Sequence, residues 1–187
     1  MTLTAANSDQ AKARKLRIAT TSLAGCFGCH MSILDIDERI LQLANLVEFD
    51  RSPIDDIKHC GPCDIGIIEG AVCNSENVHV LREFRKNCKF LVAMGACAIN
   101  GGLPALRNHF DLKDVLTDVY TRGDNQSVPN DTELPLLLEK VHPLNEVVRI
   151  DYFLPGCPPS ADTIWAGLKA LLTGQEPKLP YGLFKYE

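Results

Sequence analysis

The segment Asp64-Ile65-Gly66-Ile67-Ile68-Glu69, which runs directly into Gly70-Ala71-Val72-Cys73, decides the fold class of this chain. Its six residues have an apolar centre and an acid at each end, a pattern typical of a strand that is buried on both faces. Residues 16–21 (LRIATT) and 89–94 (KFLVAM) predict two further strands. Residues 147–154 (VVRIDYFL) predict a last strand, and residues 47–49 predict a short one.

Segments with helical periodicity separate these strands, and they predict helices over residues 31–46, 76–87, 112–120, 132–140 and 161–172. Apolar strands that alternate with helices indicate an α/β protein. We expect a single doubly wound, mostly parallel sheet with helices on both faces and a flavodoxin-like strand order. The predicted domain covers residues 16–174, between a polar N-terminal tail (residues 1–15) and an irregular C-terminal tail (residues 175–187).

Composition excludes several classes of protein. The 187 residues are 45% hydrophobic and 23% charged, which excludes a disordered chain. A net charge of −5 argues against a nucleic-acid binder with a basic face. The apolar runs are too short to span a membrane. The N-terminal residues show neither an apolar signal core nor a twin arginine, so we expect a cytoplasmic protein.

Eight cysteines carry most of the functional information. Without a signal peptide, they indicate metal or redox chemistry rather than a disulfide framework. Cysteines follow four of the predicted strands, and the carboxyl ends of parallel strands meet at one edge of the sheet. We therefore expect a convergence there of Cys26, Cys29, Cys73, Cys97 and Cys157.

Four converging thiolates are suited to either a cubane iron–sulfur cluster or a zinc ion. Gly25 and Gly156 directly precede cysteines, and Gly95 lies two residues before Cys97, which leaves room for a bulky cluster. Structural zinc sites usually combine two local pairs of ligands. One Cys-x-x-Cys pair with distant single cysteines therefore favours a cluster, and a zinc-stabilised interaction domain stays an alternative.

Four motifs together resemble the small subunits of [NiFe]-hydrogenases, in particular those of cytoplasmic, bidirectional NAD-reducing enzymes. In chain order they are GCFGCHMS (residues 25–32), IIEGAVC (67–73), MGACAINGG (94–102) and LPGCPPS (154–160). The resemblance implies that one [4Fe–4S] cluster, the one nearest the nickel–iron centre, is bound by Cys26, Cys29, Cys97 and Cys157. The nickel–iron centre itself would lie on a separate large subunit, so no catalytic residue is expected in this chain.

The resemblance also implies the reaction and the partners. The chain would pass electrons from H₂ toward NAD⁺, reversibly, as one subunit of a hydrogenase. Its partners would be the large subunit and the iron–sulfur and flavin subunits of an NADH-oxidising module, with no nucleic acid and no membrane. The second interpretation is a cluster-bearing subunit of a quinone-reducing respiratory complex. That motif begins with two adjacent cysteines, whereas Gly25 precedes Cys26 here.

The other cysteines fit less specific roles. Cys60-Gly61-Pro62-Cys63 matches the thioredoxin tetrapeptide, but it lies directly before a strand instead of before a helix. We expect it at the opposite end of the sheet, with a structural role or occasional oxidation. Cys73 would either line the cluster pocket or be ordinarily buried, and we expect Cys88 to be a small buried hydrophobe.

The remaining expectations concern Glu69, His30 and a possible FMN cofactor. Glu69 would accept backbone N–H bonds beside the cluster, contact the partner subunit or help relay protons. His30 would donate a hydrogen bond near the cluster, although we expect it to face solvent at the start of a helix. The loop of residues 20–25 occupies the position where flavodoxins hold the FMN phosphate, but the cysteine pair competes for the same corner.

Overall fold

The computed structural model describes residues 14–53, 57, 59–122 and 127–184. The predicted N-terminal tail therefore lies almost wholly outside the described residues. Five parallel strands form the main sheet in the order β2-β1-β3-β5-β7. Their bounds are Leu16–Ser22 for β1, Val47–Arg51 for β2, Cys63–Glu69 for β3, Cys88–Met94 for β5 and Tyr152–Leu154 for β7.

Helices cover both faces of this sheet. The helices of the described chain are α1 (Gly28–Leu34), α2 (Arg39–Leu46), α3 (Ser75–Asn87), α4 (Ala96–Asn100), α5 (Leu112–Thr121) and α6 (Ala161–Leu172), and α5, which has no buried residue, is not part of the core. Short 3₁₀ helices span Leu103–His109, Leu144–Glu146 and Tyr181–Leu183. The doubly wound, flavodoxin-like prediction is confirmed, since the five strands of the main sheet have the chain order 2-1-3-4-5.

The core consists of two layers, one on each face of β3, whose seven residues are all buried. On one face, Leu81 and Phe84 of α3 pack against the sheet. On the other face, Leu43 of α2 and Ile164 of α6 do the same. Side chains of a strand alternate between faces, so a strand covered on both sides is continuously apolar. This explains why the DIGIIE segment identifies the fold.

Two predicted elements are wrong. Instead of a helix over residues 132–140, the chain forms β6 (Leu137–His142), which pairs antiparallel with the short strand β4 (Val72–Asn74). Pro135 interrupts helical hydrogen bonding, and pairing with β4 outweighs the helix propensity of the Leu, Glu and Lys residues that follow. The last strand is shorter than predicted because a 3₁₀ helix spans Leu144–Glu146 and Val147 still has helical backbone angles, so the strand begins only at Tyr152.

One predicted helix is divided into two. Residues 31–46 form α1 and α2, which a turn separates, and Asp37 within that turn has a φ of 53°. None of the helices in the described part of the chain is both long and apolar enough to cross a bilayer.

Candidate iron–sulfur site

The four cysteines that the motifs single out lie around one open pocket at the carboxyl edge of the main sheet. Cys26 lies two residues before α1 and Cys29 lies in its first turn. Cys97 lies in the first turn of α4, and Cys157 lies between β7 and α6. All four are free thiols, and the pocket exposes Cys26 and Cys157 to solvent. The structure thus brings together the four predicted cluster ligands, whereas Cys73, which was expected to converge with them, does not line the pocket.

Backbone hydrogen bonds between strand ends hold these loops in place. After β1 and β3, Ala24 and Ala71 exchange N–H···O bonds of 3.0 and 2.7 Å. After β5 and β7, the N–H of Ala96 donates to the carbonyl of Gly156 (2.8 Å). The loops that carry the cysteines are therefore paired with each other, so the cysteines lie on a preorganised frame.

Glycines allow the backbone to approach the sulfur atoms closely. Gly95 has a φ of +86°, and a Cβ there would lie 2.3 Å from the Sγ atom of Cys29. A Cβ at Gly102, whose φ is also positive, would lie 2.8 Å from the Sγ atom of Cys97. A larger residue at either position would combine backbone strain with a clash against a thiol.

Glu69 and His30 form a buried polar pair beside Cys29. The carboxylate of Glu69 accepts the N–H of Cys29 (2.9 Å) through Oε2 and contacts Nδ1 of His30 (2.7 Å) through Oε1. The ring of His30 stacks on Phe27, with ring centroids 4.8 Å apart. The expectation that His30 faces solvent is wrong, because the residue is only 7% exposed. The expected backbone bond to Glu69 is confirmed.

The electrostatics of the pocket depend on this pair. Burial opposes the ionisation of Glu69, but hydrogen bonds from His30 and Cys29 outweigh it and hold the pKa of the carboxyl below its usual range. An ionised Glu69 only accepts, so Nδ1 of His30 carries the proton of their bond. Burial raises the pKa of Cys29, and the negative charge of Glu69 raises it further. Burial also raises the pKa of Cys97.

One contact at the site was missed by the sequence analysis. The hydroxyl of Ser32, buried in α1, donates to the carbonyl of Pro159 (2.6 Å) and so ties α1 to the loop that carries Cys157. The signal was present in the sequence, since Ser32 lies one helical turn after Cys29 within the same motif.

The remaining cysteines lie outside the pocket. Cys73 is half-buried on β4, where its thiol and its N–H both bond the side chain of Asn77, and it does not line the pocket. Cys63 and Cys88 open the neighbouring strands β3 and β5 and are directly paired in register, at the amino end of the sheet. Cys60 and Cys63 thus lie opposite the pocket, as predicted, and the burial of Cys88 is confirmed.

Comparison with known proteins assigns the chain to a family. A family profile described as NADH ubiquinone oxidoreductase, 20 kDa subunit, matches residues 26–171. The chain belongs to this family. Within it, the chain is 43% identical over 180 residues to the delta subunit of the NAD-reducing hydrogenase HoxS of Cupriavidus necator, a match that covers 92% of this chain and 86% of that protein.

Two further similar chains also come from hydrogenases. One subunit of the F420-non-reducing hydrogenase of Methanothermobacter thermautotrophicus is 38% identical, and the match covers 90% of this chain but only 57% of that relative. A crystal structure of an NAD⁺-reducing [NiFe]-hydrogenase in the H₂-reduced state contains a chain with 59% identity and a TM-score of 0.90. That match covers 93% of this chain and 100% of the other.

A more distant structure shows the fold alone. The [NiFeSe]-hydrogenase of Dm. baculatum aligns with a TM-score of 0.57 at 16% identity, over 93% of this chain and 70% of that one. The resemblance inferred from the four motifs is confirmed, and the chain is homologous to the small subunit of NAD-reducing hydrogenases.

Proposed function

We propose that this chain is the electron-transfer small subunit of an NAD-reducing [NiFe]-hydrogenase and holds one [4Fe–4S] cluster on Cys26, Cys29, Cys97 and Cys157. The observation that carries the proposal is the convergence of these four thiols in one glycine-lined pocket, in a chain homologous to such subunits. The cluster supplies reversible one-electron transfer. The chain's own residues hold it, shape its electrostatics and expose one side of it.

The spacing of the thiols supports a cluster over a single zinc ion. A tetrahedral zinc site with Zn–S bonds of about 2.3 Å brings its sulfur atoms within about 3.8 Å of one another. Among the described residues, a set of three ligand atoms within 4.8 Å of one another occurs only at Asp50, Cys60 and Cys63, so no three of the pocket thiols lie that close together. A cubane cluster needs a pocket that is wider than the site of a single ion.

The surrounding residues match what a cluster ligand set requires. Free, partly exposed thiols line the pocket, and Gly95 and Gly102 leave space against two of them. Glu69 fixes the backbone N–H of Cys29, so the orientation of α1 relative to the pocket is determined by a buried charged group. FMN is not part of the proposal, because Cys26 occupies the corner after β1 where flavodoxins hold the phosphate.

The pocket is open to solvent on one side, which supports a position of this chain between two redox partners. In the proposed complex, electrons leave the nickel–iron centre of a large subunit, pass through this chain's cluster and continue to the iron–sulfur and flavin subunits of an NADH-oxidising module. Because its substrate NAD⁺ is found in the cytoplasm, the proposed complex lies there too. The large subunit faces the exposed thiols of Cys26 and Cys157.

The proposal is tested by metal and sulfide analysis of the full chain, purified anaerobically with its partners. We expect about four irons and four sulfides on this chain and nickel on a larger subunit. Cys97→Ser should lose most of the cluster iron and the H₂-dependent reduction of NAD⁺, whereas Cys73→Ser, the matched control outside the pocket, should keep both. Full iron content and activity in Cys97→Ser would contradict the assignment.

The respiratory interpretation has one observation in its favour, which is the description of the family as a NADH ubiquinone oxidoreductase subunit. The same purification separates the two functions. A complex with iron on this chain and quinone reduction, but without nickel, would replace the hydrogenase proposal.

A further inference from the structure

A second group of thiols lies at the amino end of the sheet, on the opposite edge from the pocket. Asp50 of β2, Cys60 and Cys63 place one carboxylate oxygen and two sulfur atoms all within 4.8 Å of one another. The Sγ atom of Cys63 contacts Oδ2 of Asp50 at 3.3 Å. These residues come from separate stretches of the chain, and the fold alone brings the aspartate to the Cys-x-x-Cys pair.

Cys88 lies beside this group on the neighbouring strand, close to Cys60 but not within 4.8 Å of the other two ligand atoms. It opens β5 directly beside Cys63, and its Sγ atom lies 3.8 Å from that of Cys60. Two thiolates bound to one tetrahedral zinc ion are also separated by about 3.8 Å. The distance between Cys60 and Cys88 therefore already matches one edge of a zinc coordination tetrahedron.

The residues around the group hold it as a closed site. Cys60, Cys63 and Cys88 are each 5% exposed or less and pack in the core layer beneath α3. Two side chains of α3 bond the backbone of Cys60. The side chain of Glu83 accepts the N–H of Cys60 (3.1 Å), and the side chain of Asn87 donates to the carbonyl of Cys60 (2.8 Å). The loop before β3 is thus fixed by a second layer of hydrogen bonds, as is usual around metal ligands.

Charge also suits a divalent cation. The guanidinium of Arg17 bonds Oδ1 of Asp50, while Oδ2, which also accepts the N–H of Gly61 (2.9 Å), faces the thiols. If three thiolates and one carboxylate bound a dication, the ion and Arg17 would offset three of the four negative charges. Without a cation, the carboxylate keeps its bonds to Arg17 and to the N–H of Gly61, but the three buried thiols have only weak S–H bonds.

We propose that Asp50, Cys60, Cys63 and Cys88 form a structural zinc site. A Cys-x-x-Cys pair with two further ligands and no open position is the arrangement of structural rather than catalytic zinc. A thioredoxin-like role is disfavoured because Cys63 leads into β3 and not into a helix, so no helix N-terminus lowers the pKa of a nucleophilic thiol there. The ion would clamp β2, β3 and β5 together at the end of the sheet remote from the pocket.

The test is zinc analysis of the anaerobically purified complex. We expect the wild type to contain about one more zinc per chain than the Cys60→Ser/Cys63→Ser double variant, with iron content unchanged. Cys73→Ser, which alters a thiol outside both groups, should keep the zinc. Equal zinc in the wild type and the double variant would overturn the proposal, as would iron in place of zinc at this site.

A measurement on the wild type keeps the proposal testable if the double variant does not assemble. Native mass spectrometry of the chain released from the complex should show one zinc adduct in addition to the iron–sulfur cluster. Absence of the adduct, or a mass lowered by two hydrogens with a disulfide mapped to Cys60 and a second cysteine of the group, would overturn the zinc assignment. Neither outcome bears on the ligands in the other pocket, so this test is independent of the proposed function.

Discussion

The carboxylate of Glu69 and the ring of His30 are held together by a hydrogen bond of 2.7 Å, and both side chains are almost fully buried. The other oxygen of the same carboxylate accepts the backbone N–H of Cys29. A charged group at the end of the central strand β3 is thus coupled directly to the residue that the proposed cluster uses as a ligand. This coupling makes Glu69 a positioning residue whose charge is sensed in the pocket.

Removal of this charge should change the reduction potential of the cluster. Reduction adds an electron, and a buried negative charge nearby disfavours it. In Glu69→Gln we expect the potential to rise by on the order of 60 mV, a tenfold change in the equilibrium for one electron. Redox titration followed by electron paramagnetic resonance measures the shift.

The matched control is Glu139→Gln, which removes an exposed carboxylate on β6. It should leave the potential unchanged. An unchanged potential in Glu69→Gln, with the cluster fully retained, would contradict the electrostatic role of Glu69.

Retention of the cluster should require that residue 95 has no side chain. In Gly95→Ala, the new Cβ would lie 2.3 Å from the Sγ atom of Cys29 at a residue with a φ of +86°. We expect the iron content to fall by more than half and the free energy of unfolding to fall by about 1–3 kcal/mol. Gly182→Ala is the control, since a Cβ there meets nothing within 4 Å. Normal iron content in Gly95→Ala would show that the loop adjusts without loss of the site.

The bond between Ser32 and Pro159 should stabilise the loop that carries Cys157. Ser32→Ala leaves a carbonyl without its donor, at a cost of about 1–3 kcal/mol when the group is buried. We expect faster loss of iron to a chelator, measured by absorbance under anaerobic conditions. The control is Thr121→Ala, which removes an exposed hydroxyl at the end of α5. Equal rates of iron loss in the two variants would argue against this role of Ser32.

The stability of the fold should depend on pH through Asp151. Burial opposes the ionisation of Asp151, but bonds from Arg85 and the N–H of Leu91 outweigh it and hold the pKa of the carboxyl below its usual range. Its contribution to stability is therefore fully present above about pH 4 and is lost as the pH falls through the lowered pKa. In Asp151→Asn, the free energy of unfolding should fall by about 1–3 kcal/mol at pH 7.

The test compares wild type and Asp151→Asn in urea unfolding of the full-length chain across pH. The difference between them should shrink as the pH falls below 4. A difference that stays constant over this range would show that the charge of Asp151 contributes nothing to folding stability. Asp131→Asn, in an exposed segment, is the control and should show little difference at any pH.

Much of the fold could be predicted because its strands are covered on both faces. β1, β3 and β5 needed no tertiary information, since a strand buried on both sides has no polar alternation and stands out as an apolar run. β6 could not be predicted in this way. Most of its residues are exposed or half-buried, and it forms a strand because β4 provides a partner for its backbone.

In the predicted site, too, some features could be predicted from the sequence and others could not. The convergence of Cys26, Cys29, Cys97 and Cys157 followed from their places after parallel strands, because all such strands end at the same edge. The burial of His30 did not follow, since it depends on Phe27, which has a φ of 67°, and on the carboxylate of Glu69 from another strand.

The sequence by itself therefore determined the α/β class, the strand order and the edge where the pocket lies, because these depend on local hydrophobic pattern and on the direction of the chain. Only the tertiary structure decided which distant side chains meet. The approach of Asp50 to Cys60 and Cys63, and the bonds that Glu69 makes to His30 and Cys29, join residues 10 to 40 positions apart. No local pattern encodes such contacts, since they arise when separate strands and loops are packed side by side.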